Sequence, residues 1–230
     1  MPRRQRLCAV GIPQHIVQRG VNRQACFADD SDIAAYAHWL YEGSSKYGVQ
    51  VHAWVFMTNH VHLLVTPLQE AASSKMMQYI GRLYVRHFNY RYERTGTLWE
   101  GRFHSCLVQQ DQYFLACQRY IELNPVRAGI VEDPASYKWS SYQANALGID
   151  SKLRSPHPVY LRLGNSKLKR LERYRELFEG KIDGPILFDI RMALNTGLVL
   201  GTGKFKKEVE ELTGYRTSLV GRGRPARKKN

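Results

Sequence analysis

Residues 51–67, VHAWVFMTNHVHLLVTP, contain the pattern that decides the fold. Two apolar runs are separated by the polar pair Thr58-Asn59, and such a break is typical of the turn in a β-hairpin. Because side chains alternate across a strand, His60 and His62 are expected to project side by side from one face. Two neutral imidazoles are half of a metal site. A third ligand has to come from elsewhere in the chain, and without one such a pair is as often structural.

The composition indicates a polyanionic partner. The 230 residues include 34 Lys and Arg against 20 Asp and Glu, a formal net charge of +14. This excess favours nucleic acid, although a merely basic globular protein would also show it. No stretch reaches the roughly 18 apolar residues of a membrane span, so we expect no membrane partner. The four cysteines lack C-x-x-C spacing and no signal peptide is evident, which favours a cytoplasmic, nucleoid-associated protein.

The periodicity of residues 15–124 predicts the order strand, helix, strand, strand, helix, strand, helix. The first six elements are those of a ferredoxin-like fold. We therefore expect an α+β domain over residues 1–147, whose antiparallel sheet carries helices on one face and leaves the other face open to a ligand. Its longest helix, predicted over residues 71–94, interleaves tyrosines with arginines, which suits stacking and phosphate contacts with DNA.

The rest of the chain predicts a small helical module. Residues 148–165 are rich in Ser, Lys and Pro and are expected to form a linker, while residues 166–215 contain three short helical patterns separated by glycines. Such a module is either a helix-turn-helix that binds DNA or a plain packing domain. Residues 216–230 form a basic tail. Its GRGRP sequence at residues 221–225 is similar to an AT-hook, which lies in the minor groove of A·T-rich DNA, and a generic basic tail explains it equally well.

Tyr120 and Asn124 are candidate partners of the histidine pair. They are four residues apart in the last predicted helix of the domain, so they share a helix face. A tyrosine on an apolar helix is usually a half-buried core residue. Tyr113 lies seven residues earlier, near the same face, and is a rival nucleophile. Only Tyr120 is followed by an asparagine one turn later.

Four motifs together resemble the REP-associated tyrosine transposases, which are single-tyrosine HUH transposases. The motifs are NHVHLL at residues 59–64, WEGRF at 99–103, YIELNPVRAG at 120–129 and WSSY at 139–142. They occur in the expected order, and the resemblance covers roughly residues 10–145. It implies the HUH endonuclease fold and an enzyme that nicks and joins DNA.

The resemblance also implies roles for individual residues. His60, His62 and Asn124 would bind a divalent metal, Mg²⁺ or Mn²⁺, and Tyr120 would be the nucleophile. The implied reaction is metal-dependent cleavage and strand transfer of single-stranded DNA through a 5′-phosphotyrosine intermediate. Hairpin-forming DNA such as REP sequences would be the substrate. The resemblance leaves open whether the protein is a monomer or a homodimer, because family members differ in whether the tyrosine helix serves its own site.

We expect DNA contacts from a wider set of basic and aromatic residues, namely Arg3, Arg4, Arg19, Arg82, Arg86, Arg91, Trp99, Arg102, Arg222 and Arg224. Three other functions compete with the transposase. A protein that keeps the fold and binds hairpin or single-stranded DNA without catalysis is disfavoured by the intact candidate residues. A replication initiator or relaxase of the HUH type is disfavoured by the short chain. A hydrolytic metallonuclease would turn over without trapping DNA on the protein.

Overall fold

The computed structural model describes residues 6–217. The strands, in chain order, are β1 (Gln14–Arg19), β2 (Val49–Met57), β3 (His60–Pro67), β4 (His104–Val108) and β5 (Val199–Leu200). The helices are α1 (Asp30–Tyr47), α2 (Ala72–Arg91), α3 (Gln110–Glu122), α4 (Asn124–Arg127), α5 (Tyr142–Asn145), α6 (Pro158–Leu161), α7 (Lys167–Glu179), α8 (Gly184–Thr196) and α9 (Gly203–Thr213). The strands form one sheet in the order β2-β3-β1-β4-β5. The predicted α+β class and order of the first seven elements are confirmed.

The hairpin predicted from residues 51–67 is present as β2 and β3. They pair antiparallel with Val55 opposite His62, and β1 pairs with the other edge of β3, placing Val17 opposite the same histidine. Opposed residues of neighbouring strands point to the same face of a sheet. His60 and His62 therefore lie on the face that also carries Val17 and Val55.

Helices α1 and α2 cover the face opposite to the histidines. Their apolar side chains pack on alternate residues of the central strands, including Ile16 and Leu63. The carboxylate of Asp29 caps the start of α1 by accepting the backbone N–H of Asp32, and Gly48 ends the helix with a φ of +65°, a conformation that glycine adopts without steric cost. Both helices form where the apolar periodicity predicted them.

The histidine face is not open, which corrects the expectation that helices lie on one face only. Helices α3 and α8 pack on it. Phe114 and Cys117 of α3 share an apolar cluster with Val55 and Leu64, and α8, through Ile190 of the same cluster, lies over β4 and β1. The seventh predicted helix and part of the C-terminal region thus supply a second layer. The apolar residues of β2 and β3 are buried on both faces, which explains their nearly continuous hydrophobicity.

The sheet is mixed rather than wholly antiparallel. β5 pairs in parallel with β4, with Val199 beside Leu107 and Leu200 beside Val108. Two residues are too few to show the alternation by which strands are predicted, so this strand could not be predicted from the sequence pattern. It brings the chain beyond residue 166 into the same sheet as the histidines.

Residues 148–165 and the three helices predicted within residues 166–215, which are present as α7, α8 and α9, pack on the first domain. In residues 148–165, Leu153 is buried in the α1–α2 core and the N–H of Ser155 donates to the Val51 carbonyl at 2.7 Å. In residues 166–215, α8 packs on α3, and Val209 of α9 packs on β4 and β5. A polar segment can follow an ordered path over a protein surface, so the polar composition of residues 148–165 did not by itself indicate a flexible linker.

The proposed basic tail lies largely outside the described residues, and the candidate DNA contacts Arg3, Arg4, Arg222 and Arg224 lie wholly outside them. These assignments stay predictions. Among the helices of residues 6–217, none is long and apolar enough to span a membrane.

The carboxyl group of Glu122, at the end of α3, links the two parts of the chain. It is fully buried and accepts hydrogen bonds from Ser141 Oγ at 2.5 Å, Asn145 Nδ2 at 2.8 Å and Tyr174 Oη at 2.7 Å. Burial raises the pKa of Glu122 to about 7, and the three donors oppose this rise. Tyr174 belongs to α7, so this one carboxyl links the tyrosine helix to α5 and α7.

We expect Glu122→Gln to remove a pH-dependent part of the stability. Between its ordinary pKa of 4.5 and about 7, the folded protein binds this proton and the unfolded chain does not, so the contribution of Glu122 falls as pH rises. Relative to wild type, the variant should gain up to about 1.4 kcal/mol per pH unit in this window. Urea unfolding of both proteins at pH 5, 6, 7 and 8 measures the difference. A constant difference across the series would contradict the assignment.

Candidate active site

The two histidines of β3 are held in different ways. Their ring centroids are 5.1 Å apart. His60 Nδ1 lies 2.6 Å from Asn59 Oδ1, and the amide nitrogen of Asn59 donates to the Arg23 carbonyl at 3.1 Å, which fixes the direction of this amide. Since an amide oxygen only accepts, His60 carries its hydrogen on Nδ1 and keeps the lone pair of Nε2 for a ligand.

His62 contacts a third histidine, which the sequence analysis did not single out. His15 of β1 places Nε2 at 2.8 Å from His62 Nδ1, and both side chains are buried. His15 Nδ1 has no hydrogen-bond partner among the described residues. The ring of His15 also meets the ring of Tyr120 edge to face, with centroids 5.8 Å apart.

All three imidazoles are held neutral by their surroundings. Burial, and then the positive charge of Arg127, lowers the pKa of His15 to about 3. Burial followed by Arg19 and Arg127 lowers the pKa of His60 to about 4. Burial also places the pKa of His62 well below its ordinary value, helped by the two neighbouring histidines and Arg127. Because these pKa values lie well below 7, the three imidazoles are neutral at neutral pH. Neutral imidazole is the form that binds a metal.

Tyr120 projects from α3 over the histidines. Its ring centroid is 6.0 Å from that of His62, and the residue is 8% exposed. The guanidinium carbon of Arg127, in α4, lies 4.0 Å from the Tyr120 ring centroid, and its Nη1 donates to the Tyr120 carbonyl at 2.8 Å. A guanidinium keeps its charge even when burial lowers its pKa, as it does here. A positive charge therefore lies against the ring that would carry the nucleophilic oxygen.

Asn124 lies just beyond the end of α3 rather than inside it. The helix ends at Glu122, and Asn124 begins α4. Its side-chain nitrogen donates to the carbonyls of Tyr120 and Ile121, each at 3.1 Å. This directs both amide hydrogens to the helix end and leaves Oδ1 as the atom available to a ligand. Asparagine thus caps the tyrosine helix and offers an oxygen to the site.

The donor set fits a divalent metal held by two imidazole nitrogens and one amide oxygen. Among the described residues no group of three or more His, Cys, Asp or Glu side chains is arranged to hold a metal. The three protein ligands would therefore carry no charge, and two of the three ligand atoms would be nitrogens. Such ligands suit Mn²⁺ at least as well as Mg²⁺, which prefers carboxylates and water.

These side chains open into a cleft of about 880 Å³. Its walls include the two histidines of β3, Tyr120 and Asn124, and four arginines, namely Arg6, Arg19, Arg23 and Arg102. Arg19 forms an ion pair with Glu100 at 2.6 Å across the rim. One wall is formed by residues 194–197 at the end of α8, so the C-terminal part of the chain completes the cleft.

Comparison with known proteins shows the family of this chain. The family model described as "Transposase IS200 like" matches residues 8–124, just over half of the chain. The chain belongs to the IS200-like transposase family. Its fold is similar to a structure described as the REP-associated tyrosine transposase bound to a REP hairpin, with a TM-score of 0.57 and 16% identity over 68% of this chain and 93% of the other. A putative transposase from Deinococcus radiodurans R1 shows 20% identity and a TM-score of 0.37, over 53% and 96% of the two chains. No functionally curated protein matches.

The transposase cleft contains only some of the residues predicted to contact DNA. Arg19 and Arg102 line it. Arg82 and Arg86 are exposed on α2, which lies on the other face of the sheet. Arg91 forms ion pairs with Asp29 and Asp32 at the start of α1.

Trp99 requires a correction. It is buried beside Tyr36 and Tyr84 in the α1–α2 core. Its indole is therefore a packing residue in this structure and is not exposed for stacking on a base.

Tyr113, the rival nucleophile, is not in the cleft. It lies two turns before Tyr120, about 10 Å along the helix axis, and its hydroxyl lies 3.5 Å from the carboxylate of Asp189. Burial, and then Asp189, raises the pKa of Tyr113. The structure thus places only Tyr120 of these two beside the histidines.

Sequence reasoning missed four residues of the site: Arg6, His15, Arg23 and Arg127. His15 is two residues from Val17 and so points to the same face of β1. Pairing β1 with β3 from the sequence would therefore have placed His15 on the histidine face. Arg127 lies in the quoted YIELNPVRAG motif, seven residues after Tyr120. Arg6 and Arg23 lie outside any periodic pattern, and only the fold brings them to the cleft.

The depressed histidine pKa values predict that the metal-free transposase is acid-labile. Burial lowers the pKa of five histidines from an ordinary 6.5: His15, His52, His60, His62 and His157. Below about pH 6.5 the unfolded chain takes up protons that the folded protein refuses, so stability is lost as pH falls. Each histidine contributes up to about 1.4 kcal/mol per pH unit.

The urea midpoint without metal should therefore fall steeply between pH 7 and pH 5. His157→Gln should reduce the slope by one proton, because it removes one of the five buried rings. A midpoint that does not change over this range would show that the rings titrate normally in the folded protein.

Proposed function

We propose that this protein is a metal-dependent transposase that nicks and joins single-stranded DNA by transesterification, with Tyr120 as the nucleophile. The observation that carries the proposal is the position of the Tyr120 ring, 6.0 Å from the His62 ring, in a cleft lined by four arginines. A tyrosine, a pair of metal-competent imidazoles and a basic surface are the three parts that such a reaction needs.

In the proposed step, the phenolic oxygen of Tyr120 attacks a backbone phosphorus. A bond from this oxygen to phosphorus forms, and the bond from phosphorus to the 3′ oxygen breaks. The phenolic proton is lost, and the leaving 3′ oxygen takes up a proton to become a hydroxyl. The products are a 5′-phosphotyrosine and a free 3′ end, with no water consumed. Attack by a second 3′-hydroxyl reverses the step and joins DNA.

His60 Nε2, His62 Nε2 and Asn124 Oδ1 are the atoms that would hold the metal. When bound, a divalent ion would withdraw charge from the phosphate oxygens. The chain itself supplies position and charge. Arg127 holds the tyrosine ring at a guanidinium-to-centroid distance of 4.0 Å, and its positive charge favours the negative charge that develops on the phenolic oxygen.

The rim arginines would bind the DNA backbone. Arg6 stacks its guanidinium 3.8 Å from the Phe103 ring centroid and donates to the Phe103 carbonyl at 3.0 Å, which fixes its charge at the cleft. Arg23 and Arg102 lie on the same rim. Phosphate contacts of this kind position a strand without reading its sequence.

We propose hairpin-forming DNA, such as REP sequences, as the substrate. The support is the similar fold of a transposase whose structure contains a REP hairpin. The Tyr120 ring lies 6.0 Å from the ring of His62 of the same chain, which supports a site that a monomer completes in cis. The four cysteines are unpaired, which suits action in a reducing cytoplasm.

Covalent trapping tests the nucleophile. Incubation with a labelled hairpin bearing single-stranded flanks, in Mn²⁺ or Mg²⁺, should give a protein–DNA adduct on a denaturing gel. We expect Tyr120→Phe to abolish the adduct because the attacking oxygen is gone, and His62→Ala to reduce it at least 100-fold through lost metal binding.

Tyr113→Phe is the matched control and should form the adduct at the wild-type rate. If the adduct instead survives in Tyr120→Phe and is lost in Tyr113→Phe, the nucleophile is misassigned. Nicked DNA without any adduct would indicate hydrolysis, and tight hairpin binding with neither product would indicate a binding protein.

Salt dependence of hairpin affinity tests the cleft as the DNA path. Arg102→Gln should weaken binding several-fold and lower the slope of log K against log salt by about 0.7 to 0.9, since one phosphate contact is lost. Arg82→Gln removes the same charge on α2, at the other face of the sheet, and should leave the slope unchanged. Fluorescence anisotropy from 50 to 300 mM salt, with chelator present, measures both. Equal effects of the two variants would argue against a path through the cleft.

A further inference from the structure

His15 contacts the proposed metal ligand His62 but has no role in the proposed reaction. β1 and β3 pair so that His15 lies opposite Leu64 and Val17 opposite His62, and His15 and His62 meet diagonally on the histidine face. Their ring centroids are 5.1 Å apart, and their nitrogens Nε2 and Nδ1 are 2.8 Å apart. Both rings are buried.

Only one hydrogen can lie between these two nitrogens when both rings are neutral. In one arrangement His62 Nδ1–H donates to His15 Nε2, and His62 Nε2 keeps a lone pair. In the other, His15 Nε2–H donates to His62 Nδ1, so the second hydrogen of the pair sits on His62 Nε2 and blocks it as a ligand. The hydrogen position therefore decides whether His62 can bind a metal.

The tautomers of His60 and His62 are determined in different ways. The amide oxygen of Asn59 can only accept, so it imposes the metal-competent tautomer on His60. His62 has no such one-way partner, because a histidine can accept or donate at Nε2. Its tautomer thus depends on where His15 keeps its own hydrogen.

We propose that His15 is a positioning residue that accepts the Nδ1–H of His62 and so holds His62 Nε2 ready for the divalent metal. The inference rests on the metal-binding part of the proposed function. In this arrangement the hydrogen of His15 lies on Nδ1, a buried atom with no partner among the described residues. An unpartnered buried donor costs stability, so a purely structural residue here would be better apolar. The cost is consistent with a role at the site.

Three proteins test the inference by Mn²⁺ binding, measured from the EPR signal of the free ion. His15→Leu keeps similar bulk but cannot accept a hydrogen bond, and should weaken Mn²⁺ binding by roughly 10- to 100-fold, the usual effect of removing such a partner. His15→Gln retains an acceptor oxygen and should recover most of the affinity. His157→Leu, which removes another buried ring away from the cleft, should bind Mn²⁺ as wild type does.

Two further measurements separate positioning from folding. In His15→Leu, hairpin affinity in chelator should be close to wild type, and the thermal midpoint should be no lower than that of wild type. In the wild type with Mg²⁺, long-range ¹⁵N–¹H NMR spectra should show His62 protonated on Nδ1 and not on Nε2, a result that requires no variant.

Wild-type Mn²⁺ affinity in His15→Leu, no recovery in His15→Gln, or a hydrogen on His62 Nε2 with Mg²⁺ present would each overturn the proposal. If instead the protein does not cleave DNA as proposed, the experiments would give a different set of results. The wild type would then bind Mn²⁺ in a His15-dependent way and form no DNA adduct.

Discussion

The site depends on one packing interaction, that of helix α3 on the histidine face of β2 and β3. Phe114, Cys117 and Ile121 fill the space above Val55 and Leu64, and this apolar contact sets how close Tyr120 comes to His62. Burial of several large side chains in one interface stabilises a fixed helix position far more than any single polar contact in the cleft. The same burial keeps the histidines neutral. Packing therefore provides both the geometry and the protonation state of the site.

Polar contacts then fix what the apolar packing leaves free. Asn124 and Arg127 both donate to the Tyr120 carbonyl, which secures the end of α3 at the nucleophile. Glu122 ties the same turn to Ser141, Asn145 and Tyr174. The local bonds of Asn124 and Arg127 and the long-range bonds of Glu122 thus resist movement of the helix end that carries Tyr120.

The C-terminal part of the chain belongs to this arrangement. β5 extends the sheet beside β4, α8 packs on α3, and residues 194–197 form a wall of the cleft. This region, for which the sequence left a DNA-binding helix-turn-helix and a packing domain both open, therefore supports the tyrosine helix. Its contribution to DNA binding would be made as part of the cleft wall.

The sequence by itself determined the hairpin, the pairing of His60 with His62 on one face, and the spacing of Tyr120 and Asn124, because alternation and helical period are local properties. The resemblance of its motifs identified the family that the comparison confirmed. The sequence could not show that α3 covers the histidine face, that Trp99 is buried, or that β5 joins the sheet. It also contained no indication that Arg6 and Arg23 lie at the site. These depend on contacts between residues far apart in the chain, and only the tertiary structure decides which distant side chains share one cleft.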